Sequence, residues 1–443
     1  MRRRALVAMG TAVLTVAGIA LAQRMDARSP LTVVVGQSGG PAPTVRGDAH
    51  RDGLSHGAFP RAPLKVDWRV TVGGGQIEQP PVVTNEAIIV VTTHGDVVWL
   101  PHDSHEGRGE LARQSLGIAA TSSSPPAVAS DGTVVVVGGS SEAIAVGVDK
   151  NGLRFRTQLA GGFPVAEPID AVAPLALADG GVAIATATEI ALLDAAGNVR
   201  SRAALTEALI GPLLAGGHRI FGVSKTGVVY AWAPGSRDVS RVGSFQGNVQ
   251  GGAVMTSDDT LVAVVSDQRL MTLDLRQGLA VPLSTFSGGA YLGPVAFRRG
   301  VAGSAEGGTA QMSGTAFAMA GVPGRTFAIG VDSAGQEVLR VPVATSIIVA
   351  TDAGAPIFQV PQHVPVAIDD TGTLAFATPD GPVGIVDPAG VVTSIDGVCT
   401  RTLRNGRAVT SLVSGGPGAF IVTCAAGHVV KIIHGSGSSV DSP

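Results

Sequence analysis

Residues 77–113 read IEQPPVVTNEAIIVVTTHGDVVWLPHDSHEGRGELAR. Within them, Gln79-Pro80-Pro81-Val82-Val83, Ala87 to Thr93, Asp96 to Leu100 and Glu110 to Arg113 follow one another across short turns. Short runs rich in Val and Ile, bounded by Asn, Gly, Pro and Asp, predict four consecutive strands; a helix would instead space its apolar residues every three or four positions.

The same pattern returns down the chain. With the Pro of the first strand as anchor, the series is Pro81, Pro126, Pro174, Pro212, Gly252, Pro294, Pro365 and Thr410, at spacings of 45, 48, 38, 40, 42, 71 and 45. Six of the seven fall near the ~40–45 residues of a four-stranded propeller blade. The long interval must hold insertions, and Arg298 to Gly314 and Thr345 to Pro361 are the candidates. Second strands are legible at Thr133 to Val137, Val182 to Thr186, Leu261 to Val265 and Phe420 to Thr423, and third strands at Ala143 to Val148, Ile190 to Leu193 and Val383 to Val386. Several third strands end in an Asp with a Gly three or four residues on: Asp149/Gly152, Asp194/Gly197, Asp274/Gly278, Asp332/Gly335 and Asp387/Gly390. The carboxylate accepts backbone N–H groups at the turn and Gly supplies the positive φ, so these pairs mark hairpins into each fourth strand.

The last module has Val409 to Val413, Ala419 to Thr423 and Val429 to Ile433 but no fourth strand. An open edge at that point is a liability, and the unpartnered strand Val66 to Val72 can fill it. The fold class expected is therefore all-β: an eight-bladed β-propeller of four-stranded antiparallel blades, closed by an N-terminal strand and spanning residues 64–434, with a disordered tail at 435–443.

Composition agrees. Apolar residues make up 45% of the chain, aromatics 4% and charged residues 15%, with 61 Gly and 27 Pro among 443 residues. Such a chain builds its core from small aliphatic side chains on short strands joined by tight turns. The net charge of −3 offers no basic footprint, which excludes a nucleic-acid partner.

Three Arg at positions 2–4, an apolar run from Ala5 to Ala22 and the small-residue pattern Ala20-Leu21-Ala22 predict a secretory signal peptide over residues 1–22, cleaved after Ala22. The run is also near the shortest that spans a membrane, so an uncleaved anchor is the alternative, and only then is a membrane contact expected. Residues 23–63, rich in Gly, Pro, Ser and Asp, are expected to be a flexible linker. The location expected is periplasmic or secreted, where Cys399 and Cys424, the only two cysteines, can bridge. Cys399 lies in the connection into the last blade and Cys424 ends that blade's second strand, positions that open on one face of the ring. A disulfide there would stabilise by about 3 kcal/mol in the chain-entropy model.

Gly47-Asp-Ala-His-Arg-Asp-Gly-Leu-Ser55, Leu64-Lys-Val-Asp-Trp-Arg-Val70, Ile77-Glu-Gln-Pro-Pro-Val-Val83 and Thr93-His-Gly-Asp-Val-Val-Trp-Leu100 together resemble the lead-in segment and first blade of the quinoprotein-like (PQQ-repeat) β-propellers. The resemblance covers about residues 47–433, strongly in the first blade and weakly afterwards. The family holds both quinoprotein alcohol dehydrogenases and BamB-like scaffolds of outer-membrane protein assembly. The enzymes carry adjacent cysteines against the quinone and a Trp after most Asp-X-X-Gly turns. This chain has neither; its Trp are Trp68, Trp99 and Trp232.

His102-Asp-Ser-His105-Glu106 is the densest cluster with catalytic potential, and two His at i and i+3 beside a carboxylate can bind a metal. Its place in the hairpin turn before a fourth strand favours a solvated turn. The glycine runs 73–75, 138–139 and 307–308 lack the strand-to-helix setting of a phosphate loop and are turns. The expectation is thus no enzyme, no catalytic or metal residues, no cofactor, and a monomer that binds an unidentified protein or cell-envelope partner through its loops, the alternative being an oxidoreductase that binds PQQ.

Overall fold

The computed structural model describes residues 53–55, 57–103, 109–118, 123–164, 170–266, 269–287, 289–300, 314–322, 324–344, 348–350, 356–358, 366–378, 382–399 and 409–435. The expected signal peptide lies outside these residues, as do most of the linker and the tail. Eight four-stranded antiparallel blades occupy residues 82–115, 127–159, 175–204, 209–244, 249–285, 290–344, 366–395 and 409–434, the last completed from the N-terminal side. The eight expected blades are the eight observed. Among the described residues there is no α-helix.

First strands of neighbouring blades touch one another and so line the axis, while fourth strands form the rim. Val, Ala, Leu and Ile fill the layers between blades. Small side chains suit this geometry, because blades fan out from an axis where large ones would not fit. The anchor residues found by spacing mark irregular points in the inner strands of blades 4, 5 and 6, where register shifts at Ile210/Leu214, Gln250/Ala253 and Leu292/Ala296 enclose Pro212, Gly252 and Pro294. The insertion expected near residue 298 falls between the first and second strands of blade 6, and residues 301–313 lie outside the description. The second contains a two-stranded hairpin, Ile348–Ala350 with Pro356–Phe358.

Two N-terminal strands join the blades, and one of them completes the ring. The second of them, β2 (Leu64–Thr71), runs antiparallel to His428–His434 with a register from Leu64↔His434 to Thr71↔His428, and supplies the fourth strand that blade 8 lacks. The first, β1 (Leu54–Ser55), corrects the expectation of a linker reaching residue 63. It pairs in parallel with Ile368 and Asp369 on the axis side of blade 7, a blade that already has four strands of its own. Phe59, also expected in the linker, is buried. A short Gly-rich stretch looks like tether from composition; it is held here because carboxylates of blade 7 accept its N–H groups and backbone N–H groups of blades 7 and 8 donate to its carbonyls.

The Asp-X-X-Gly turns do more than reverse the chain. Asp149 Oδ1 accepts the N–H groups of Asn151 and Gly152, Asp194 Oδ1 those of Ala196 and Asn198, and Asp387 Oδ1 those of Ala389 and Val391. Each turn also receives the fourth strand of the preceding blade. Phe155 of blade 2 covers Gly197 of blade 3, the carbonyl of Val242 in blade 4 backs Gly278 of blade 5, and Val341 of blade 6 lies beside Gly390 of blade 7. Thr157 Oγ1 donates to the Gly197 carbonyl at 2.6 Å, and Gln114 Nε2 in blade 1 donates to the Lys150 carbonyl in blade 2 at 3.1 Å. The rim is therefore a chain of side-by-side joints.

Candidate functional site

Of the polar cluster that the sequence offered as reactive, His102 and Asp103 are found at a joint between blades. Trp68, on β2, is buried between blades 8 and 1, and its indole N–H donates to the carbonyl of His102 at 3.0 Å. Lys431 Nζ donates to the same carbonyl at 3.1 Å and lies 3.5 Å from Asp67 Oδ2 and 3.7 Å from Asp103 Oδ1. His102 Nε2 sits 2.6 Å from the Thr84 carbonyl, a contact that requires the ring to donate there. The turn at 101–103 thus clasps the closing strand to blade 1. Ser104, His105 and Glu106, the remaining members of the expected cluster, lie outside the described residues. Among the described residues no group of three His, Cys, Asp or Glu is arranged to hold a metal ion.

On the face formed by connections between blades, Cys399 and Cys424, 25 positions apart in the sequence, stand with their Cα atoms 5.5 Å apart and their sulfurs facing each other. Both are buried against Val398, Val409 and Val422. Arg69 of β2 donates to the carbonyls of Gly397 at 3.1 Å and Val398 at 2.8 Å, so the closing strand and the loop before Cys399 hold each other. Thr71 Oγ1 pairs with His428 Nδ1 at 3.0 Å in the same seam. Burial, with the positive charge of Arg69 nearby, holds the imidazole of His428 below its ordinary pKa.

The mouth of the axis on this face carries a second joint. Asp170, 4% exposed, lies before the first strand of blade 3. Its Oδ2 meets Lys225 Nζ of blade 4 at 2.5 Å, and its Oδ1 accepts the N–H of Gly251 in blade 5 at 2.9 Å. One carboxylate ties three blades. Gln79 Nε2 donates to the Ser123 carbonyl at 2.8 Å, joining blades 1 and 2, while its buried Oε1 has no partner among the described residues.

The opposite face holds a groove between blades 7 and 8 in which residues 53–55 and 57–59 are seated. Ile368 N donates to Gly53 O at 3.0 Å and Gly418 N to Ala58 O at 2.8 Å. Asp370 Oδ2 accepts from Gly57 N at 3.2 Å and Asp369 Oδ2 from Phe59 N at 2.7 Å. Ser55 Oγ donates to Ser414 Oγ at 2.7 Å, and the Phe59 ring meets Phe420 edge-on with centroids 6.2 Å apart. No reading of the sequence placed this groove. The available signal was Phe59, an aromatic among Gly, Ala and Pro.

What these arrangements can do is hold backbone. Their carboxylates accept N–H groups, their cations sit on carbonyls, and their aromatics wedge blades. No family model matches the chain, and no curated protein matches it. Among solved structures it is similar to BamB from Moraxella catarrhalis, at 14% identity and a TM-score of 0.54 over 85% of this chain and 99% of that one. The computationally designed protein Ika8 aligns over 82% of this chain and 98% of its own at 13% identity, with a TM-score of 0.48, too low to carry an argument. At these identities the likeness is one of fold.

Proposed function

We propose that this chain is an exported, non-catalytic β-propeller scaffold that binds a protein or another cell-envelope component through its loop faces. The observation that carries it is the use made of the polar residues: Lys431, Asp170 and Asp369 each hold one blade, or the N-terminal segment, to another, and the His102 ring is taken up by the Thr84 carbonyl of its own blade. A rigid ring that presents loops is suited to recognition. The finer reading is a BamB-like part in outer-membrane protein assembly, in a monomer exported through a signal peptide cleaved after Ala22. The fold likeness to BamB supports it by analogy, and analogy of fold leaves the function to be argued from sites. Affinity capture from the native envelope with gentle crosslinking is the test. Recovery of an envelope protein in stoichiometric amount is expected; its absence would overturn the reading. N-terminal sequencing of the mature protein checks the cleavage.

The alternative is a PQQ-binding oxidoreductase. The two cysteines, 25 positions apart and facing each other at the seam, do not fit the adjacent pair that backs the quinone in that family. Titration with PQQ and Ca²⁺ is expected to give no bound-quinone spectrum.

A further inference from the structure

We propose that the inner edge of blade 7, with the Phe420 pocket beside it, is a binding site for an extended peptide of a partner protein, and that residues 53–59 of the chain occupy it in cis. The proposal deepens the scaffold reading, on which it rests, by naming the site and the kind of partner.

Four observations carry it. First, β1 is supernumerary: blade 7 has its own four strands, and the ring is closed by β2. Second, the groove is built to receive backbone. An added strand on a sheet edge gains affinity from main-chain hydrogen bonds and specificity from pockets for alternate side chains, and here Ile368 N, Gly418 N, Asp369 Oδ2 and Asp370 Oδ2 each take one main-chain group of the segment. Third, the groove requires an occupant. Asp369 is fully buried; its Oδ1 is committed to Thr371 N, Thr371 Oγ1 and Thr373 N, and its Oδ2 to Phe59 N alone. With the segment gone, a carboxylate oxygen would lose its donor and Phe420 its ring partner. A replacement must therefore bring an N–H and an aromatic together.

Fourth, the strand part of the cis segment is short. The ladder of β1 is two residues long, whereas β2 is registered against seven residues of its partner. Segments with so few backbone bonds open locally at a small fraction of the global unfolding free energy. The pattern demanded of a competitor is Leu-Ser-X-Gly-X-Phe. Gly57 has φ +122°, and a Cβ there would lie 3.3 Å from Pro417, so that position selects glycine.

The test uses the full chain carrying Phe59→Ala, which loosens the cis segment, and a fluorescein-labelled peptide of residues 51–61 read by anisotropy. The peptide is expected to bind the variant at least about tenfold more tightly than the native chain, and the same peptide with Gly57→Val or Phe59→Ala is expected not to bind either. A folded variant that leaves the peptide free, or that binds it no better than the native chain does, would overturn the site. Dimers formed by exchange of the segment between copies, seen by sedimentation, would make a second copy the occupant and overturn the foreign-peptide reading. If Phe59→Ala fails to fold, amide hydrogen exchange on the native chain decides. Gly57 and Phe59 are expected to exchange at least about tenfold faster than Ile385 and Val422, and equal protection would sink the proposal. Envelope capture tests the scaffold reading and the peptide titration this site, so either can fail without the other.

Discussion

Gly197 turns blade 3 into its fourth strand at φ +82°, and a Cβ there would collide with the ring of Phe155 from blade 2. Two costs combine in Gly197→Ala: a left-handed backbone that alanine tolerates poorly, and an overpacked joint. The expected loss is about 2–4 kcal/mol, measured as a drop in urea midpoint at unchanged m-value. Trp68 is the corresponding wedge on the closing strand, following a register shift at Val66/Trp68 as Phe155 follows one at Leu153/Phe155. Trp68→Phe keeps the wedge and loses the indole hydrogen bond to His102, for about 1 kcal/mol; Trp68→Ala should cost about 3–5. The Asp-X-X-Gly turns were legible because Gly and Asp have a local reason to be there. Their second role was not, because the atom that approaches Gly197 belongs to a residue 42 positions earlier, in a strand that the local pattern places but does not orient.

At the scale of the element, the closing seam gathers β2, the strand at 428–434 and the loop at 396–399. The Cys399–Cys424 bond is proposed to form on export, and mass spectrometry without reductant should find the chain two hydrogens lighter than after reduction. Replacing both cysteines by serine should cost about 3 kcal/mol in the chain-entropy model, read as a lowered unfolding midpoint in the oxidised protein that reductant does not lower further. His428 gives the seam a pH dependence. Its pKa is depressed in the folded state by burial and by Arg69, so the unfolded chain binds the proton more readily. Stability is then complete above the ordinary histidine pKa of about 6.5 and declines as pH falls through the lower folded value. Thermal melts of His428→Gln should be flatter than those of the native chain between about pH 6.5 and 5. That the two cysteines meet on one face was readable from their places in the repeat. The clasp made by Arg69, His102 and Lys431 was not, since its partners are mostly main-chain carbonyls, which any sequence supplies.

For the whole molecule, periodicity carried the architecture: eight anchors, six of whose seven spacings fall near ~40–45 residues, leave little but a ring of blades. Periodicity is silent about whatever occurs once, and β1 and the 53–59 groove occur once. The ring and the latch make separable predictions. Deleting residues up to 59 removes β1 and Phe59 but keeps β2, and should leave a monomer with a cooperative melt at a lower temperature. Deleting residues up to 71 also removes the fourth strand of blade 8. That exposes the edge of His428–His434, where Val429, and Ile421 on the strand inside it, are otherwise covered by Trp68 of β2 and by blade 1. An open edge of this length is a template for pairing with another chain. The longer deletion is therefore expected to associate in a concentration-dependent way, seen by sedimentation, and adding back a peptide of residues 60–73 should return it to the monomer. A monodisperse, stable product of the longer deletion would mean that packing between blades 8 and 1, and not strand closure, holds the ring.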